Sequence, residues 1–480
     1  MQKNNTASIS ELFRADPDRG RHFCMREGLW RLDYSRLPLE RNGLAQLQGL
    51  TKATGLQNSV ADLFAGRVVN PSENQPALHM TLRAERPEQG DGEEVVGLRQ
   101  RFLEVADRLH SGDAGLTDVL HIGIGGSDLG PRLVAEALDD NDSAIRVHWL
   151  STLDGRRFDR LVASLDPATT GVVIASKSFS TTETLMQARA VRDWLGRRFD
   201  DQAWAATAHA DRAIEFGLNA DRILAFPGWT GGRFSLWSSV GVSAAARIGA
   251  ERFRELLAGA AEADEQFSRK PDASSLSVML ALIMHYLRRE LSLPTLGVIA
   301  YEPRLGLLSD YLQQLIMESL GKGVDLQDRP VDAPTSPLVF GGRGTDLQHS
   351  IMQALHQGPD SHPLILVGAL KDEYGPGDWQ RTQLANLLGQ AGALAYGRET
   401  DKAFQHLPGN RPVTLLLTQS LNAHGLGYLL ASFEHAVYAL SVLWNVNPFD
   451  QWGVEEGKRL AGEYERRLAE SPPDIDNLPE

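Results

Sequence analysis

From about residue 118 onward, short apolar runs alternate with amphipathic stretches. The runs DVLHIGIGG, IRVHWLS, TGVVIAS and ADRILAFPGW are separated by stretches whose apolar residues recur with a helical period. A second series, with the runs TLGVIAYE, SHPLILVGA and PVTLLLTQS, begins after the apolar segment 276–287. Such alternation is typical of βαβ units in a mostly parallel sheet. The pattern predicts an α/β fold with two sandwiches in tandem.

Composition and charge narrow the class of protein. The 480-residue chain has a formal net charge of -14, so we expect neither nucleic acid nor an anionic membrane as a partner. Its single cysteine, Cys24, cannot form an intrachain disulfide, which favours a reducing cytoplasm. The N-terminal stretch lacks the apolar run of a secretory signal, and segment 276–287 is shorter than the ~20 residues that cross a bilayer. The sequence therefore predicts a cytoplasmic protein with a buried apolar helix.

A dense group of hydroxyl side chains follows the run TGVVIA. Six serines and threonines occupy the nine positions from Ser176 to Thr184, between a predicted strand and a predicted helix. Ser180 and Glu183 fit a capping box, which explains those two groups alone. A helix N-terminus after a strand also offers free N–H donors and a favourable dipole to phosphate. The segment predicts either a bare helix cap or a phosphate site.

The stretch HIGIGGSDLGP, residues 121–131, predicts a strand that runs through glycines into a helix. It lacks the G-x-G-x-x-G spacing, because Asp128 stands where the third glycine is required, so a nicotinamide cofactor is not expected. Gly125 and Gly126 would allow a close backbone approach to a small polar ligand. Tight helix–strand packing is an equally good explanation of these glycines.

Other candidate residues each have a simpler alternative. Gln314 and Glu318 lie four positions apart on one face of a predicted helix and could reach one ligand, although a solvated face explains them as well. Arg233, beside two glycines, could meet a ligand or only a carboxylate. The sequence contains no H-E-x-x-H motif and no paired cysteines, which predicts chemistry without a metal.

Six stretches together resemble the glucose-6-phosphate isomerase family: GIGGSDLGP, SKSFSTTET, GGRFSLWSSVG, QQLIMESLGKG, GTDLQHSIMQALHQG and FDQWGVEEGK. They occur in the family's order, and the resemblance extends from Gly66 to Lys458. Any one stretch would be a weak signal, whereas six in order are specific. The resemblance implies cofactor-free interconversion of glucose 6-phosphate and fructose 6-phosphate through a cis-enediolate, as in glycolysis and gluconeogenesis.

The resemblance also implies an architecture and an assembly. Two SIS-type αβα sandwiches with mostly parallel sheets would carry helical extensions at both ends. The corresponding division is an N-terminal extension at 1–87 that packs on the larger sandwich, the smaller sandwich at 88–248, the larger sandwich at 249–450 and a C-terminal helical arm at 451–480. The polar segment 86–95 would form a linker or exposed loop. The protein would be a homodimer with active sites at the subunit boundary.

Individual roles follow by matching each motif to the family's pattern. Phosphate would be bound by Ser176, Ser178, Thr181, Thr184 and the Lys177 backbone, and the sugar by Gly126, Ser127, Gln314 and Gln451. Glu318 would be the base that moves the proton between C1 and C2, and Arg233 would stabilise the enediolate. His349, donated by the partner subunit, would open the sugar ring with help from Lys458.

The chain departs from the family pattern at a few positions. Gln75 stands where Arg is common, Leu320 where Asn is common, and Ser178 where Thr is frequent. Leu347 replaces a small residue near the proposed histidine. Ser178 keeps the hydroxyl group, while Leu320 and Leu347 would alter the surroundings of the base and the histidine, or the substrate range.

Two other functions are compatible with parts of the sequence. A noncatalytic SIS-type sensor of sugar phosphates would need the hydroxyl-rich segment but has no use for Glu318, Arg233, His349 and Lys458 together. An isomerase of another hexose phosphate, such as mannose 6-phosphate or an amino sugar, would use the same residues. The motifs do not separate this second alternative from the glucose 6-phosphate reaction.

Overall fold

The computed structural model describes residues 7–86, 92–372 and 374–470. Its N-terminal part contains α1 (Ile9–Ala15), α2 (Arg19–His22), β1 (Cys24–Glu27), β2 (Trp30–Arg36), α3 (Arg41–Ala53), α4 (Leu56–Phe64), β3 (Val68–Asn70), β4 (Gln75–Pro76) and a 3₁₀ helix at His79–Leu82. Strands β1 and β2 form an antiparallel hairpin, and β3 and β4 form a separate small one. The resemblance implied a helical N-terminal extension, but this part of the chain also contains two β-hairpins.

The smaller sandwich is built on a parallel sheet. Its elements are α5 (Gly92–Ser111), β5 (Asp118–Ile122), α6 (Leu129–Leu138), β6 (Arg146–Leu150), α7 (Gly155–Ser164), β7 (Thr170–Ala175), α8 (Thr182–Leu195), α9 (Phe199–Gln202), β8 (Ala203–Thr207), α10 (Ala210–Phe216), β9 (Ile223–Ala225) and α11 (Val242–Ile248). The strand order is β6-β5-β7-β8-β9. Successive residues of β5, Val119 and Leu120, belong to separate apolar clusters on the two faces of the sheet. Both faces are therefore covered, as expected of an αβα sandwich.

The larger sandwich repeats this arrangement. Its elements are α12 (Ala250–Arg269), α13 (Leu276–His285), β10 (Thr295–Ala300), α14 (Leu308–Leu320), β11 (Leu338–Arg343), α15 (Gly344–Gln348), α16 (Met352–Gln357), β12 (Leu364–Ala369), α17 (Gly377–Tyr396), β13 (Val413–Thr418) and α18 (Ala423–Trp444). Its sheet has the order β1-β2-β13-β12-β10-β11, so the N-terminal hairpin extends the parallel strands through an antiparallel pairing of β2 with β13. The predicted α/β fold with two mostly parallel sheets is confirmed.

Helix α18 forms the centre of the larger sandwich, where α12, α13 and α14 pack against it. By length and composition it could span a membrane, since an 18-residue stretch has a mean hydropathy of 1.4, but 94% of that stretch is buried inside the protein. Among the described residues it is the one helix that meets this criterion. A core helix that is buried on all sides explains the composition.

The domain division proposed from the sequence stays a proposal. Its boundary at 248/249 falls between the last strand of the smaller sheet and β10 of the larger one, whereas the segment 1–87 contributes β1 and β2 to the larger sheet. Helix α5 already begins at Gly92, so residues 92–95 of the predicted linker at 86–95 are helical, while residues 87–91 lie outside the described residues. The C-terminal arm contains α19 (Glu455–Glu470), and its last ten residues, 471–480, also lie outside.

Candidate active site

A cavity of about 570 Å³ lies at the carboxyl ends of the strands in the smaller sheet. The chain leaves β5 for β6 on one side and later returns to β7 on the other, so β5 and β7 flank a topological switch point. Ligands of doubly wound sheets bind in the crevice at such a point. Twelve of the thirteen predicted site residues line the cavity: Gly126, Ser127, Ser176, Lys177, Ser178, Thr181, Thr184, Arg233, Gln314, Glu318, Gln451 and Lys458.

The hydroxyl-rich segment connects β7 to α8. Helix α8 begins at Thr182, and the preceding Thr181 makes no side-chain cap hydrogen bond. The predicted capping box does not form, because the helix begins one residue later than the box requires and Thr181, not Ser180, is its N-cap. The Ser180 hydroxyl instead donates to Ser178 Oγ at 2.8 Å. Ser176 and Thr184 are buried at the cavity wall. The positive end of α8 therefore faces the cavity without a side chain that caps it, an arrangement suited to an anion.

The loop after β7 also carries a partly buried cation. Burial lowers the pKa of the Lys177 ammonium from its ordinary value, while the nearby Glu73 acts in the opposite direction. Lys177 and Glu73 both line the cavity. Hydroxyl groups, a helix N-terminus and one lysine thus face the same space.

The glycine turn after β5 forms an adjoining side of the cavity as a 3₁₀ helix, Gly125–Ser127. A Cβ atom at Gly126 would lie 2.1 Å from the Gly232 carbonyl oxygen, so only glycine fits there. Gly125 has a φ of +58°, which glycine adopts readily. The glycines allow tight packing and also bring backbone to the cavity, while their close approach to a ligand stays a prediction.

Arg233 lies at the start of the 3₁₀ helix Gly232–Trp237 and is almost fully buried. Its Nη1 donates to Glu318 Oε1 at 3.1 Å and to Gln451 Oε1 at 2.9 Å, and its Nε donates to Ser319 Oγ at 2.7 Å. Nη2 donates to the carbonyl oxygens of Pro448 and Asp450. Burial lowers the pKa of the guanidinium, and the charges of Glu318 and Asp450 oppose that effect. Five acceptors therefore hold the cation in one orientation.

Glu318 lies in the last turn of α14, and its carboxylate faces both Arg233 and the cavity. The side chain is 24% exposed, so one side remains open to a ligand. Gln314, one turn earlier, reaches the glycine turn: its Nε2 would lie 3.0 Å from a Cβ atom at Gly125. A second cavity of about 530 Å³ adjoins the first and shares Glu318 and Gln451 with it.

Of the predicted catalytic residues, Lys458 lines the cavity of this chain, whereas His349 lies outside it. Lys458, on α19, lines the cavity and donates from Nζ to Glu455 Oε1 at 2.7 Å, with 65% of its side chain exposed. His349 follows α15 and is exposed, but it does not line the cavity of this chain. One chain thus brings together every predicted site residue except His349.

The sequence interpretation gave no role to one whole wall of the cavity. The segment from β3 to the following 3₁₀ helix contributes Asn70, Glu73, Gln75, Pro76, Ala77 and His79. Asn70 Nδ2 donates to Glu73 Oε2 at 2.8 Å, and the His79 ring stacks on Phe234 with 4.7 Å between centroids. The stretch GRVVNPSENQPALHMTLR belongs to the family-like part of the sequence, so a signal was present without a role attached to it.

The departures from the family pattern fall in different environments. Gln75 lines the cavity, whereas Leu320 is fully buried in the apolar core on the other side of α14. Leu347 packs against the cluster beneath α15 and α16.

Among the residues that the structure describes, no group of three or more His, Cys, Asp or Glu side chains is placed to hold a metal ion.

Comparison with known proteins shows the family of the chain and gives the same fold. The family model for phosphoglucose isomerase matches residues 33–476. The chain is 42% identical over 466 residues to a glucose-6-phosphate isomerase of Stenotrophomonas maltophilia, covering 96% of this chain and 92% of that protein. It is 37% identical over 489 residues to glucose-6-phosphate isomerase 1 of Chromohalobacter salexigens, with coverages of 98% and 89%.

Solved structures agree with these relatives. The crystal structure of a glucose-6-phosphate isomerase from Chlamydia trachomatis superimposes with a TM-score of 0.87 at 28% identity, over 97% of this chain and 94% of that one. A hypothetical protein of Thermus thermophilus gives a TM-score of 0.70, also at 28% identity, with coverages of 92% and 100%. Fold and cavity define an α/β isomerase of sugar phosphates. The chain belongs to the phosphoglucose isomerase family.

Proposed function

We propose that the protein interconverts glucose 6-phosphate and fructose 6-phosphate in this cavity, by opening the sugar ring and moving a proton between C1 and C2. The protein is an isomerase of the glycolytic type, as the family and its relatives indicate. The observation that carries the proposal is the contact of 3.1 Å between Arg233 Nη1 and Glu318 Oε1, inside a cavity that also contains the hydroxyl-rich segment. A proton acceptor, a fixed cation and a phosphate site are the parts that the reaction requires.

The phosphate group is bound by Ser176, Ser178, Thr181 and Thr184 together with backbone N–H groups near Lys177. The uncapped N-terminus of α8 supports this role, because its dipole favours a dianion. The phosphate does not react, so its binding energy serves to orient the sugar carbons toward Glu318.

Glu318 transfers the proton between C1 and C2 as the general base. Its open side faces the cavity, and Gln314 one turn away holds sugar hydroxyl groups together with Gly126, Ser127 and Gln451. Removal of a proton next to a carbonyl group leaves an oxyanion. Arg233 stabilises that charge, and because five acceptors already hold its guanidinium, little reorganisation accompanies the reaction.

Ring opening requires an acid and a base at the ring oxygen and O1, and Lys458 supplies one of them from the cavity of the same chain. The other is His349, which comes from a second subunit of a homodimer. The exposure of His349 outside its own chain's cavity supports this arrangement. The reaction uses proton transfers alone, so no cofactor takes part, and the single Cys24 supports a cytoplasmic location.

The proposed reaction is tested by proton NMR of fructose 6-phosphate with the purified protein in D₂O and excess EDTA. We expect glucose 6-phosphate with deuterium at C2, since a carboxylate that carries the proton exchanges it with solvent in the open-chain intermediate. Mannose 6-phosphate as the main product would keep the chemistry and change the substrate. Binding of the phosphate ester without any product would favour the noncatalytic sensor and contradict an isomerase.

Donation of His349 across the dimer is tested by mixing two inactive variants, His349→Ala and Glu318→Gln. In a mixed dimer, one of the two sites combines an intact Glu318 with an intact His349 from the other subunit. Random exchange of subunits should therefore restore about a quarter of the wild-type activity. Each variant incubated alone is the control. If the mixture stays inactive although native mass spectrometry shows mixed dimers, the histidine acts within its own chain.

A further inference from the structure

His121 lies beneath the glycine turn of the cavity, and the reaction described above gives it no role. It is the penultimate residue of β5, one of the two strands that flank the switch point. The side chain is fully buried, and its ring lies 4.6 Å from that of Trp149. A histidine in this place is polar but has no access to the cavity.

Two hydrogen bonds fix the protonation of the His121 ring. Nε2 is 2.7 Å from the Ser127 carbonyl oxygen, and Nδ1 is 2.8 Å from Ser243 Oγ. A carbonyl oxygen only accepts, so Nε2 carries the proton, and in the neutral ring Nδ1 then accepts from the Ser243 hydroxyl. Burial also lowers the pKa of His121 to about 4, which keeps the ring neutral around pH 7.

The carbonyl that His121 holds belongs to a turn with almost no free space around it. A Cβ atom at Gly123 would lie 2.6 Å from the Ser127 oxygen, and one at Gly126 would lie 2.1 Å from the Gly232 carbonyl oxygen. Within the turn, the Ser127 N–H donates to the Ile124 carbonyl oxygen at 3.2 Å. The helix of Arg233 therefore confines the turn from one side, and the His121 ring holds it from below.

We propose that His121 is a positioning residue that sets where Gly126 and Ser127 meet the substrate, by donating from Nε2 to the Ser127 carbonyl oxygen. This role rests on the proposed function, in which those two residues bind the sugar. The hydrogen bond acts through the backbone of the turn, and His121 itself does not touch the substrate. A small displacement of the turn would weaken substrate binding more than it would slow the proton transfer at Glu318.

The matched variants His121→Gln and His121→Asn separate positioning from simple stability. The glutamine amide nitrogen comes near the position of Nε2 and can still donate to Ser127, whereas the asparagine amide reaches only as far as Nδ1 and leaves that carbonyl without its donor. Both variants lose the ring that packs on Trp149. We expect KM for fructose 6-phosphate to be about tenfold higher in His121→Asn than in His121→Gln. The two kcat values should agree within about threefold.

Binding is measured independently of turnover by calorimetry with glucitol 6-phosphate, which has no carbonyl group and cannot be isomerised. The same order of affinities is expected, together with similar thermal midpoints for the two variants. Equal KM and equal Kd values would overturn the positioning role, as would weaker binding by the glutamine variant. If His121→Asn does not fold, His121→Met, which has no donor, replaces it in the same comparison.

The two proposals fail in different ways in this experiment. A wild-type protein that does not isomerise fructose 6-phosphate would contradict the proposed function, while the calorimetric comparison of the variants would still decide the role of His121. An active wild-type protein with indistinguishable variants would contradict the role of His121 alone.

Discussion

Glu318→Gln is expected to lower kcat by roughly 10²- to 10⁴-fold, the contribution of a well-placed general base. The amide has the shape of the carboxylate but cannot accept the proton from C1 or C2. It can still accept the hydrogen bond that Arg233 Nη1 donates at 3.1 Å, so the guanidinium keeps its position. The hydroxyl-rich segment is unchanged, and we expect the Kd for glucitol 6-phosphate to stay within about threefold of wild type.

The effect is measured by steady-state kinetics in both directions and by calorimetry. Asp310→Asn is the matched control, because Asp310 is an exposed carboxylate in the first turn of the same helix and does not line the cavity. That variant should retain nearly full activity. If Glu318→Gln kept a kcat within about threefold of the control, another group would have to be the base.

Arg83→Met is expected to lower the free energy of unfolding by about 3–5 kcal/mol, because it leaves two buried carboxylates without their cation. Arg83 Nη2 is 2.6 Å from Asp264 Oδ1, and Nη1 donates to Glu434 Oε2. The side chains of Arg83 and Glu434 have no solvent exposure. Glu434 Oε1 also accepts from Trp237 Nε1 at 2.8 Å, at the end of the 3₁₀ helix that begins next to Arg233.

The loss is measured by urea unfolding followed through tryptophan fluorescence. Arg67→Met is the control, since the Arg67–Asp62 ion pair has a similar distance of 2.6 Å but leaves 70% of the arginine side chain exposed. Exposed pairs contribute about 0–1 kcal/mol. Equal losses in the two variants would show that burial of the Arg83 network has no special weight.

Hydrophobic patterning was sufficient for most of the fold. It did not predict strands β8 and β11 or the pairing of β2 with β13, and each omission has a physical reason. Strand β8, with the sequence AWAAT, is rich in alanine, which has low β-propensity, and β11 contains two glycines. Both strands are held by neighbours on the sheet, not by their own preference. The hairpin of β1 and β2 joins a sheet whose other strands begin at residue 295, and local sequence carries no signal for so distant a pairing.

The candidate site was predictable where its residues are contiguous or lie on one helix. The loop after β7, the turn after β5, and Gln314 with Glu318 could be read in this way, because the carboxyl ends of parallel strands meet at one edge. Two features could not be derived locally. The wall from Asn70 to His79 enters the cavity through tertiary packing. The start of α8, with Thr181 and not Ser180 as its N-cap, is set by the folded loop.

The pairing of β2 with β13 also has a consequence for how the protein forms during synthesis. Residues 30–36 leave the ribosome well before their partner strand, residues 413–418, has been made. The smaller sheet, complete by residue 225, can assemble meanwhile. The edge of β2 that pairs with β13 stays unpaired until that strand is made, so closing the larger sheet is a late event of high contact order.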